Sequence, residues 1–361
     1  MNNVIKMNHL STVEFPRWLD HVSPTDTRIK RLIVVASGYE RRASYWSQKV
    51  LGILKPSRTN QWCVIGFTDH KEDLSRVEND AFYRSTGLDI QEFPSHDDTG
   101  VVSHVQNSVS RLIEQFPHSE LEVHVDYSSL PRTWYRSIYN EIEKTLVTRA
   151  LLYFWYSSGI YDGLEYPTAG VSDVEIFSGR ASLRSKDRTH IFGLGFDRIR
   201  SSAIFRVLDP QRLVCFYADP GIRPDYVERV INDNRDIIAA AELVFTAPIN
   251  DFALAFGRIA GIAREFASLG DVILVPDGPK PLVLASSLVP DFLAQNGLVS
   301  LHVRRRKIGE AGTVDVMPAG EIYGFLVRGA VQDSESAPNS SEVLNDQFGH
   351  VSATVEHGTK R

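Results

Sequence analysis

The same order of signals is written twice in this chain of 361 residues, about 150 residues apart. In the first half an apolar stretch, Leu32 to Val35, runs into Gly38-Tyr39-Glu40-Arg41; in the second, Ile191 to Leu194 runs into Gly195-Phe196-Asp197-Arg198. A helix-like segment follows each (42–54 and 199–208), and then an apolar strand that ends in Asp, Cys63 to Asp69 in one copy and Leu213 to Asp219 in the other. The third helix of each copy carries a 3.6-residue apolar period: Val102, Val105, Val109, Leu112 and Phe116, then Phe252, Phe256, Ile259 and Phe266. After it comes a short strand, Leu121 to Val125 or Val272 to Val275, and a Pro-containing turn, Asp126-Tyr127-Ser128-Ser129-Leu130-Pro131-Arg132 against Asp277-Gly278-Pro279-Lys280. A fifth strand, Leu151 to Trp155 or Leu298 to Val303, and hairpin-like sequence around Pro167-Thr168 or Pro318-Ala319 close each copy.

Strands that alternate with helices of this length build parallel sheets through right-handed crossovers. The expected fold class is therefore α/β: two tandem Rossmann-like units with mainly parallel sheets, related by internal duplication. The expected division is an N-terminal arm over 1–30 pinned by Phe15 and Trp18, units over 31–180 and 188–330, and a mobile polar tail over 331–361. With 43% hydrophobic and 23% charged residues the chain can bury a large core, and it has no apolar run long enough for a membrane span. Two cysteines and a start without an apolar signal region point to a cytoplasmic protein. The net charge of −6 disfavours duplex nucleic acid and anionic lipid as partners.

In open α/β sheets ligands sit beyond the carboxyl ends of the strands, where helix N-termini present free N–H groups. The loops after strands one and four are therefore the candidates. Gly38 lets backbone approach a ligand, the hydroxyls of Ser128 and Ser129 orient phosphate oxygens, and Arg41 and Arg132 hold phosphate by charge-assisted bonds. The second half contributes Asp197, Arg198 and Lys280. A cleft between the halves would collect both sets. The aromatic run Tyr153-Phe154-Trp155-Tyr156, with Tyr161, could stack a base, although half of that run must face the core.

Standard motifs are mostly missing. Gly193-Leu194-Gly195 begins like a dinucleotide fingerprint, but Arg198 stands where the third glycine belongs, so Rossmann-type NAD binding is not expected. There is no phosphate-loop motif, nucleophile elbow or zinc helix, and no cofactor is specified. Glu122, His124 and Asp126 alternate along the fourth strand and share one face, a spacing compatible with metal ligands but more commonly a polar strand face. No metal site is expected.

The loop Asp126 to Arg132 resembles the loop after the fourth strand of CARF domains, in which an acidic or amide residue, a hydroxyl and a basic residue contact a cyclic oligonucleotide. Ser37 to Arg41 stands at the second place where that family holds ligand. Two such units in one chain resemble the fused pair of SAVED domains, sensors of cyclic nucleotide signals in prokaryotic antiviral defence. Leu130-Pro131 departs from the glycine usual there, and Gly278-Pro279-Lys280 lacks hydroxyls. No appended effector is visible, so the resemblance implies one on a separate chain.

The leading expectation is a sensor that binds a nucleotide or phosphorylated small molecule between the two halves. A second is a nucleotide-directed hydrolase or transferase in the same cleft, with Asp126 or Glu40 as base. A third is a non-catalytic subunit of a multi-protein assembly.

Overall fold

The computed structural model describes residues 9–23, 26–146, 150–161, 169–182, 187–307 and 314–328. In chain order the first part holds β1 (His9–Glu14), α1 (Phe15–His21), β2 (Ile29–Ser37), a 3-10 turn over Arg41–Ser44, α2 (Tyr45–Val50), β3 (Asn60–Phe67), α3 (Arg76–Ser85) and β4 (Ile90–Phe93). It continues through α4 (Asp98–Gln115), β5 (Glu120–Asp126), α5 (Arg132–Leu146) and β6 (Ala150–Ile160). The second part holds β7 (Ala169–Gly179), β8 (Arg188–Gly193), α6 (Arg198–Leu208), β9 (Arg212–Ala218), α7 (Pro224–Asp233), α8 (Arg235–Ala240) and β10 (Leu243–Ala247). It ends with α9 (Phe252–Ala267), β11 (Asp271–Val275), α10 (Lys280–Leu293), β12 (Leu298–Lys307) and β13 (Met317–Arg328).

These strands form two mainly parallel sheets, in the orders β1-β13-β6-β5-β2-β3-β4 and β10-β9-β8-β11-β12-β7. The five parallel strands of each follow one plan, with the first strand (β2 or β8) central and flanked by the second and the fourth. The α/β class and the paired Rossmann-like arrangement are therefore as the sequence indicates. Leu32 to Ala36 of β2 reads as a continuous apolar run because helices cover both faces of a parallel sheet, whereas β8 keeps only Ile191 and Phe192 of that run before Gly193. Along α4 the buried stripe is Val101, Val105, Ser108, Val109 and Leu112, so Val101 and not Val102 leads it.

The closing strands change places. β7 follows β6 in the chain but pairs antiparallel with β12, while β13 follows β12 and pairs antiparallel with β6. The boundary drawn at 180/188 thus falls between two strands of one sheet. The N-terminal arm is built in as well: β1 pairs with β13, and Phe15 packs on Trp155 with ring centroids 5.6 Å apart. Burying a side chain such as Phe15 contributes about 2 kcal/mol. The tail over 331–361 and the Pro167-Thr168 turn lie outside the described residues.

One continuous apolar cluster joins the halves, running from Val34, Val123 and Tyr135 to Phe252, Leu284 and Leu288. At its centre the Phe252 ring of α9 lies parallel to Phe325 of β13 with centroids 3.6 Å apart. Among the described residues, no helix is long and apolar enough to cross a membrane.

Candidate functional site

In each sheet the crossovers leave the central strand in opposite directions, which opens a crevice between the loops after strands one and four. Glycines let those loops touch. A Cβ on Gly38 would stand 2.9 Å from Ser129 Cβ, and one on Gly195 would stand 2.7 Å from the Gly278 Cα. Gly278 itself holds φ +88°, a conformation that suits glycine.

The two fourth-strand loops then engage one another. Arg132 donates to Asp277 Oδ1 at 2.7 Å, to the Gly278 carbonyl at 3.0 Å and to the Pro276 carbonyl at 3.4 Å. In return Lys280 Nζ donates to the carbonyls of Ser128 at 2.6 Å, Leu130 at 2.9 Å and Tyr127 at 3.4 Å. Burial pushes the Lys280 pKa down to about 7; Arg42 and Arg132 add to the fall, while Glu40 and Asp126 oppose it.

Between the halves lies a cavity of about 660 Å³, lined from both sides. One group on its wall is cationic. Arg132 and Arg200 share the single carboxylate of Asp277, with Arg200 Nε 3.2 Å from each of its oxygens. His302 stands nearby with its pKa pushed down to about 4, first by burial and then by Arg132, Arg200 and Arg304, so its imidazole is neutral at pH 7. A second group is aromatic. Tyr161 meets Phe196 and Tyr226, and Arg42 lies over the Tyr156 and Tyr161 rings with its charge met by Glu40 at 2.7 Å.

Of the residues the sequence singles out, Gly38, Glu40, Ser129, Arg132, Asp197 and Lys280 line the cavity. Arg41, Asp126, Ser128 and Arg198 do not. Arg41 opens the 3-10 turn with its side chain 57% exposed, directed to Ser75 and Asp315, and Arg198 is exposed at the start of α6. Asp126 and Ser128 are fully buried beneath the loop, where Asp126 accepts from the Ser128 hydroxyl and backbone N–H, and Ser128 Oγ accepts from the Ser157 N–H at 2.7 Å. Burial raises the Asp126 pKa to about 6. Asp126 therefore does not reach the cavity as a base. Asp197 caps α6 by accepting from the Arg200 N–H at 3.0 Å.

The structure adds Arg42, Arg200, Tyr226 and His302 to the wall. Arg42 and Arg200 stand one and two residues past the repeated Gly-aromatic-acid-Arg motif, where a turn reverses which side chain points inward. His302 is the counterpart of Tyr156: Val34 and Ile191, each four residues before the motif glycine, pair with Val125 and Leu274, which pair with Phe154 and Ser300. Along the fourth strand, His124 and Glu122 do face together, Nε2 3.4 Å from Oε2, but in an aromatic core beneath Trp18 and Trp155. Among the described residues no group of three or more acidic, His or Cys side chains is arranged to hold a metal ion.

No protein-family model matches the chain, and no curated protein matches it in sequence. Among solved structures, Can2 from Sulfobacillus thermosulfidooxidans in complex with cyclic tetra-adenylate is 16% identical over 35% of this chain, with TM-score 0.26. The match spans 38% of Can2. AtPrR2 in apo form is 12% identical over 66% of this chain and 86% of its own, with TM-score 0.22. An N-terminal ketoreductase from a macrolactin assembly line is 10% identical over 81% and 73%, with TM-score 0.21. Likenesses this loose carry no functional argument.

Proposed function

We propose that the cavity binds a nucleotide or phosphorylated small molecule, and that the protein is a cytoplasmic sensor whose signal passes to an effector on a separate chain. A role in prokaryotic antiviral defence is what the CARF and SAVED resemblance adds to this reading. The observation that carries it is the sharing of Asp277 by Arg132 and Arg200. Two guanidiniums meet at one carboxylate there and set up a local field that suits an anion. Beside them stand the imidazole of His302 and Arg304, itself paired with Glu175 at 3.0 Å, and the carboxylates of Asp98 and Asp197 are also on the wall. The first residues of α4, α5 and α10 also line the cavity, so the helix dipoles add to that field.

The test is the thermal midpoint of the full chain against phosphorylated compounds and their dephosphorylated counterparts. A ligand that binds only the native state raises the midpoint by mass action. A rise confined to the phosphorylated members supports the reading. No rise at saturating concentration would remove it and favour the assembly-subunit alternative.

The hydrolase or transferase reading keeps one favourable observation. His70 lines the cavity with Nδ1 2.8 Å from Asp73 Oδ2 and Nε2 3.7 Å from Asp69 Oδ2, so two carboxylates orient an imidazole at the cavity wall. Product analysis after incubation with whichever ligand raises the midpoint decides between sensing and turnover.

A further inference from the structure

The two halves are built alike, yet the walls they give the cavity are not. Tyr156 and His302 hold the same strand position, and one is a phenol where the other is an imidazole. Around the phenol the surroundings are aromatic. Tyr161 has ring centroids 5.7 Å from Phe196 and 6.1 Å from Tyr226, those two rings are 5.2 Å apart, and the Tyr156 and Tyr161 hydroxyls are 3.4 Å apart. The cations here are each paired with a carboxylate: Arg42 with Glu40, and Arg223 and Arg229, which lie over the Tyr226 and Phe196 rings, with Asp225 and Asp233. Around the imidazole guanidiniums gather: Arg132, Arg200 and Arg304 all depress it while Glu175, paired with Arg304 at 3.0 Å, opposes them, and Arg132 and Arg200 share one carboxylate.

A ligand with two-fold symmetry is held best when equivalent positions offer it equivalent groups. Here one position offers ring faces and the other offers guanidiniums. We infer that the occupant is a single asymmetric molecule, a linear mononucleotide, with its base against Tyr161, Phe196 and Tyr226 and its phosphate toward Arg132, Arg200 and His302. The inference rests on the reading that the cavity binds a phosphorylated compound, and it names which kind. A cavity of about 660 Å³ falls within the range of about 300–1,000 Å³ found for small-ligand sites.

The experiment is calorimetric titration of the full chain with nucleoside 5′-monophosphates, ribose 5-phosphate, inorganic pyrophosphate and a cyclic dinucleotide, repeated with Tyr226→Leu. Base–aromatic stacking makes about a tenfold difference or more in affinity. The expected result is one mononucleotide per chain, bound at least about tenfold more tightly than ribose 5-phosphate, with that ratio collapsing in Tyr226→Leu. Tyr226 also accepts a bond from the Tyr161 backbone at 2.7 Å, so Phe196→Leu is the second variant should the first fail to fold. Ribose 5-phosphate binding as tightly as every mononucleotide, or the cyclic dinucleotide binding tightest, overturns the inference and leaves the proposed function standing. Binding by none of these compounds overturns both.

Discussion

Arg132 and Lys280 each stand first in the helix after the fourth strand of their half, and each donates into the loop that leads to the other. The contact is reciprocal but chemically unequal. Arg132 meets a carboxylate and carbonyls, whereas Lys280 meets carbonyls alone. Arg132→Ala leaves Asp277 with Arg200 as partner, and Lys280→Met strands three carbonyls. We expect each to lower stability by about 1–3 kcal/mol, read as a reduced denaturant midpoint with an unchanged slope. Wild-type midpoints in both variants would mean that the latch contributes nothing to holding the halves.

Stability should rise with pH just above neutrality. The Lys280 pKa falls from 10.5 in the unfolded chain to about 7 in the folded one, so between those values unfolding takes up a proton and becomes harder as pH rises. Cys63 and Cys215, whose thiols burial pushes from 9.0 up to about 12, give the opposite slope only as pH passes about 9. Denaturant midpoints from pH 7 to 8.5 should therefore climb in the wild type and flatten in Lys280→Met. A wild-type profile as flat as the variant's would refute this.

His302 should report the ligand. An anion among Arg132, Arg200 and Arg304 offsets the charges that depress the imidazole, so its pKa should move up from about 4 on binding. The chemical shifts of the ring nitrogens, followed through a pH titration with and without the phosphorylated compound, give the answer directly. A bound ligand that leaves the His302 titration in place is not near the cationic group.

Glycine contacts at the two loop junctions should differ in tolerance. In Gly195→Ala the new methyl meets backbone, the Gly278 Cα, which has no side chain to move aside. Gly38→Ala meets the side chain of Ser129. We expect Gly195→Ala to cost more than about 2 kcal/mol and to exceed Gly38→Ala in the same denaturation assay.

The exchanged strands make a prediction about the halves as separate molecules. A 1–180 fragment lacks β13, the neighbour of both β1 and β6, and carries β7 without β12. Expressed alone it should show no cooperative unfolding, and mixed with 181–361 it should regain it. Cooperative unfolding of the isolated fragment would show that the exchange is dispensable.

Much of this arrangement could be read from residues. Apolar runs, 3.6-residue stripes and the repeated glycine motif located four of the five parallel strands in each half, the α4 and α9 stripes, and the loops that border the cavity, but not the third strands, β4 and β10. Pairing partners were not legible, because β7 and β13 look the same whether they return to their own sheet or cross to the other. The inward arginine was also out of reach. Whether Arg41 or Arg42 is buried depends on where the 3-10 turn begins, and sequence does not fix a one-residue phase in so short a turn. Lys280 was found as a cation but assigned to a ligand, since its carbonyl partners belong to a loop 150 residues away.

β13 starts at the cavity and finishes at the other end of its sheet. Val314 and Val316 line the cavity just before it, and the Val316 carbonyl accepts from the Arg42 N–H at 3.1 Å, while Arg328 pairs with His9 at the far end. One unbroken stretch of backbone therefore joins the cavity wall to the place where both ends of the described chain, His9 and Arg328, lie side by side.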